Sequence, residues 1–189
     1  MLVAATARGI SRGGSMRHYR SRTRLTLAIA SGLVAALVLS QSALAAVSAT
    51  YKFAGVEVWA THTVGTFVGA AVGSAGDGAT WRAAIEHTVQ TQPSGSITGG
   101  YAELVTTDLT RIRGDFSKGT LTLISIGSGA CGNLTHKVWG KLVRVTRSDR
   151  AGAIGTGRLV GKLVHYRIMV FGNCIAYSAS AKGTFYLNF

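Results

Sequence analysis

Acidic residues are scarce in this chain: seven Asp and Glu stand against twenty Lys and Arg in 189 residues. No paired carboxylates, no Ser-His-Asp order and no phosphate-cradling glycine loop stand out, so the most legible acid–base and phosphoryl-transfer sites are missing. Proline occurs once, at Pro93, and no proline-rich linker divides the chain. Cysteine occurs twice, at Cys131 and Cys174. A zinc site built on that pair would need two more ligands at suitable spacing, and the histidines are too far apart in sequence to supply them. The longest apolar run, "LTLAIASGLVAALVL" at 25–39, falls short of the roughly 20 residues a spanning helix needs.

What is present begins with a leader. Six arginines and no acid precede residue 25, and "SQSALA" follows the apolar run at 40–45. A basic start, an apolar middle and an Ala-x-Ala end are the parts of a secretory signal peptide. The expected division is therefore a signal-peptide helix over 1–45, cleaved after Ala45, and one domain over 46–189. Met16 opens an n-region of ordinary length and is an alternative start. With no adjacent Arg-Arg pair, the leader suits the general secretory route of a bacterial cell. Without the leader, fourteen Lys and Arg face seven Asp and Glu, a net +7. These cations are scattered along the chain, apart from "RVTRSDR" at 144–150, which reads as a hairpin tip. That is not a nucleic-acid footprint. General solubility is the leading account of this charge, and an anionic cell-surface polymer or lipid headgroups are the charged partners it would suit.

The domain reads as all-β. Short alternating runs are expected at 51–60, 63–73, 80–90, 96–106, 109–116, 119–126, 133–146, 153–171 and 174–188. Turn signals separate them, among them "GSAGDG" at 73–78, "QPSG" at 92–95 and "FSKG" at 116–119. Eight or nine sequential strands predict an antiparallel up-and-down barrel, since closure removes the exposed edges of so wide a sheet. A two-sheet sandwich is the alternative. "VWGKLVRV" at 138–145 echoes "LVGKLVHY" at 159–166, as two neighbouring strands with the same packing demand would.

"GTFVGAAVGSAGD" at 65–77, with "GTGRLVGK" at 155–162, resembles the Gly-rich strands of the allene-oxide-cyclase and dirigent class of barrels, and of uncharacterised secreted bacterial barrel proteins. The resemblance covers about 20 residues and implies a barrel. No catalytic residue is carried across.

Export implies a compartment in which disulfides persist, and two cysteines in one domain pair most simply with each other. Sequential strands would leave the start of 133–146 and the start of 174–188 roughly 9.6 Å apart, against the 7 Å limit for Cα atoms of a disulfide. The lead "GSGACGN" at 127–133 has to fold across that gap. The candidate ligand site is a histidine set. Alternation puts His62 with Val56, Val58 and Val64, His87 with Trp81 and Ile85, His136 with Val138 and Leu142, and His165 with Leu163. If these apolar faces turn inward, all four imidazoles line the lumen, with Arg167 beside His165 and Arg144 beside His136. Glu57 and Glu86 fall on the opposite faces. The leading expectation is a secreted, disulfide-stapled barrel that binds a small, partly apolar or acidic ligand without a cofactor. Alternatives are an enzyme using a lumenal His as acid or base, a small outer-membrane barrel, suggested by the terminal "GTFYLNF", and a surface interaction module.

Overall fold

The computed structural model describes residues 48–88 and 94–189. The expected leader, its cleavage point, the start at Met16 and Pro93 lie outside them. The described chain is all strand: β1 (Ser48–Ala60), β2 (Val64–Gly73), β3 (Gly78–His87), β4 (Ser94–Thr106), β5 (Arg111–Ile126), β6 (Leu134–Arg147), β7 (Gly155–Val170) and β8 (Asn173–Asn188). Every strand pairs antiparallel with the next, and β8 closes on β1, giving a barrel of eight strands in sequence order. Closure excludes the two-sheet sandwich. The expected nine strands become eight because 109–116 and 119–126 are one strand. "FSKG" is a bulge, not a turn: Phe116 pairs with Leu142 and Lys118 with Lys141, leaving Ser117 as the extra residue. The bulge lets Ile112 and Phe116 before it, and Leu121 after it, all face inward, where each is buried.

The core is the lumen. Phe53, Trp81 and Phe185 meet at its middle, with ring centroids 4.6 Å apart for Phe53–Trp81 and Phe53–Phe185. Trp81 lies over Gly55 and Gly69. A Cβ at Gly69 would come within 2.7 Å of the indole nitrogen, which donates to the Ala54 carbonyl at 2.9 Å. Toward the base, the rim that carries the β2–β3, β4–β5 and β6–β7 turns, Tyr51, Leu104, Ile112, Leu142, Val145 and Leu187 fill the interior. Apolar side chains thus face in, while Lys52, Lys137, Lys162 and Lys182 face out at mid-height. A barrel in an outer membrane carries an apolar exterior band, and these lysines interrupt the exterior at mid-height.

Bulges reset the phase that strict alternation assumes. Val56 and Val58 are more than half exposed. The inward face of β1 is instead Tyr51, Phe53, Gly55 and Glu57, because the two aromatics bury more area than the valines. Arg144, expected beside His136, has a φ of 50° in the β6 bulge and turns outward to bond Asp115 at 2.8 Å.

Candidate functional site

The opposite rim, at the ends of β1, β3, β5 and β7, is where the histidines gather. His87, His136 and His165 come together near the mouth of the lumen. The His136 and His165 rings meet edge to face at 5.2 Å. Each comes from a different strand, and each shares an inward face with buried apolar neighbours: Trp81 and Ala83 for His87, Val138 and Leu142 for His136, Leu159 and Leu163 for His165. A single extra residue, Thr98, keeps His87 opposite the buried Ile97.

His165 and His87 line a cleft whose walls include Phe53, Phe67, Trp81, Leu121 and Leu159. The cleft measures about 30 Å³, room for water but not for an organic molecule, and it is open to solvent at the mouth. Any organic occupant therefore sits in the mouth. Glu57 lines the same cleft, and burial raises its pKa above the usual carboxylate range. Burial lowers the pKa of His165 to about 4, and charge on His136 and His87 would push it the same way. Burial also lowers His136. Both rings are therefore neutral at pH 7, and Nδ1 of each is buried without a hydrogen-bond partner among the described residues. His87 Nδ1 lies 2.9 Å from the Thr88 carbonyl.

The remaining expected site residues lie elsewhere. His62 is exposed in the β1–β2 turn. Arg167 shares the parity of His165, but its guanidinium donates to the Gly132 carbonyl at 2.9 and 2.6 Å, and its backbone N–H donates to Asn133 at 3.2 Å. These bonds draw the loop 127–133 over the end of β7. There Cys131 meets Cys174 in a disulfide, with Cα atoms 5.4 Å apart. The glycines let the loop pass: a Cβ at Gly132 would run into the Gly127 carbonyl. A closed disulfide indicates an oxidising, extracytoplasmic compartment. Among the described residues no group of three His, Cys, Asp or Glu is placed to hold a metal ion.

Glu57 is the site residue that alternation missed. The spacing Phe53-x-Gly55-x-Glu57 carried the signal, since the two aromatics Tyr51 and Phe53 mark that face as the buried one. Comparison with protein-family models, with curated proteins and with solved structures found no match. The geometry of the cleft is what bears on function.

Proposed function

We propose that this chain is an exported binding module that holds a small, partly apolar molecule in the mouth of its barrel. The observation that carries this reading is the buried, unpartnered Nδ1 of His165 in a cleft where Glu57, His87 and Lys162 interrupt aromatic and aliphatic walls. A buried polar atom without a partner costs free energy, and a hydroxyl or amine on a bound molecule supplies that partner. The apolar walls take the rest of the molecule. An acidic head group finds only Lys162 as a cation on the cleft lining: Arg167, its expected partner, is engaged by Gly132, and His136 and His165 are neutral at pH 7.

The test is thermal denaturation and tryptophan fluorescence at pH 7 with 1-octanol, octylamine and octanoate as probes. Octanol or octylamine raises Tm and perturbs the emission of Trp81, and octanoate does so at least about tenfold more weakly. Ala181→Phe, which fills the cleft, abolishes the response. Equal responses from the filled and native barrels, or from none of the probes, would overturn the reading.

A further inference from the structure

The cations that look scattered along the chain are aligned by strand register. Lys137 on β6 pairs with Lys162 on β7, and Lys162 pairs with Lys182 on β8. Four residues along β6, Lys118 pairs with Lys141 and Lys141 with Arg158. All six side chains are exposed. Between the two rows run Trp139, Val160, Thr184 and Lys52. Tyr186 ends the second row, with the Arg158 guanidinium 4.5 Å from its ring centre. Strands β6, β7 and β8 carry no Asp or Glu at all.

Like charges directly opposite one another in a sheet are destabilising, and nothing on this wall offsets them. The opposite wall differs. There Glu103 faces outward, yet it is buried under Arg82, Arg111 and Arg113 at 3.1, 3.7 and 3.9 Å. The fold places a carboxylate beneath one cluster of cations and none beneath the other. Asp115, on β5, bonds Arg144.

We infer that the β6–β8 wall binds a flexible acidic polysaccharide, which lies across the two cation rows. Curvature selects a flexible chain. Neighbouring strands of an eight-stranded closed barrel turn by about 45°, so Lys137 and Lys182 project about 90° apart. A flat bilayer touches one row at a single strand, whereas a thin polymer wraps all three. The rows stand roughly 13 Å apart along the strands, and Trp139 lies between them. An aromatic face between cations accepts a sugar ring by stacking while the lysines take its acidic groups. Lysine, a compact point charge on a flexible stem, suits repeated anions without demanding one geometry. Lys162 also lines the cleft, but the rows stand on the outer wall, and the inference survives if the cleft binds nothing.

The experiment uses the product of the full reading frame, purified with the Cys131–Cys174 bridge intact. Dextran sulfate and polygalacturonate are the probes, and binding is followed by calorimetry from 50 to 300 mM salt. Both polymers bind, neutral dextran does not, and affinity falls as salt rises. The triple variant Lys137→Gln, Lys162→Gln, Lys182→Gln binds at least about tenfold more weakly at 50 mM salt and flattens the salt slope by about 2. Arg82→Gln with Arg113→Gln, on the acid-paired wall, changes binding less than about twofold. Unchanged binding by the lysine variant, or an equal loss in both variants, overturns the inference. Tighter binding to phosphatidylglycerol vesicles or to a single-stranded oligonucleotide than to either polysaccharide also overturns it.

Discussion

His165 titrates near pH 4 because burial disfavours its charged form and His136 and His87 would add like charge. The unfolded chain takes up that proton at the ordinary histidine value of about 6.5. Below that value the unfolded state binds more protons than the folded one, so stability is full above pH 6.5 and falls as pH drops toward 4. The loss reaches at most about 3 kcal/mol, with His136 adding in the same direction. Glu57 works the other way: its raised pKa favours the folded state at low pH, and this contribution disappears as pH rises past its folded value. A Tm profile from pH 8 to 4 should therefore fall, and His165→Leu should flatten it. An unchanged profile in that variant would place the titration elsewhere. The residue-level record of the sequence is uneven for a physical reason. His87 sits on a strand where one face is the more apolar, whereas His136 and His165 sit on strands that carry apolar residues on both faces, so alternation groups them with Val138, Leu142 and Leu163 without deciding which face turns inward. Glu57 sits on β1, where both faces are apolar and only aromatic area decides. Arg167 has the right parity, but the carbonyl of a loop 35 residues earlier claims it, and periodicity carries no information about that.

Strand existence was easier to read than strand phase. The hydrophobic runs and Gly-rich turns mark where strands begin and end, whereas each bulge shifts inside for outside after it. Gly100 shows what one such position demands. Its φ is +103° and a Cβ would meet the Ala84 carbonyl, just beyond the extra residue Thr98 that puts Ile97 and Ala102 both inside. Gly100→Ala is expected to cost about 1–3 kcal/mol, measured by urea denaturation, and a cost near zero would mean the bulge is not needed to set the phase of β4. The disulfide acts at the same scale. It joins the β5–β6 loop to β8 across 43 residues, and the chain-entropy model gives about 4 kcal/mol for closing such a loop. Cys174→Ser should lower stability by up to that amount. Hydrogen exchange should then rise first in 127–133, where Arg167 alone would hold the loop to β7.

At the scale of the whole molecule, the barrel is divided along its axis. The base half is packed with side chains, Phe185 and Val145 among those with no exposure at all, while the mouth half keeps its cleft. Phe185→Ala should cost about 3–5 kcal/mol, whereas Leu163→Ala, against the cleft, should cost less because its space already opens to solvent. Equal costs would argue for a uniform core. The division was not legible in the sequence, since large and small residues alternate along every strand and only closure decides which of them share a level.

The seam between β1 and β8 has one more consequence. Ser48 Oγ donates to Asn188 Oδ1 at 2.9 Å, so the two ends of the strand sequence lie side by side at the base, away from the mouth. Eight strands, each paired only with its sequence neighbours, form a ring in which that seam is one junction among equals. A circular permutant, with residue 189 linked to residue 48 and new ends at Gly152, should fold to the same barrel. Gly152 suits the cut because it is exposed and has no atom within 4 Å of its missing Cβ. Such a permutant should still form the Cys131–Cys174 bridge, as peptide mapping would verify. The order in which the strands are synthesised would then matter little to the structure they reach.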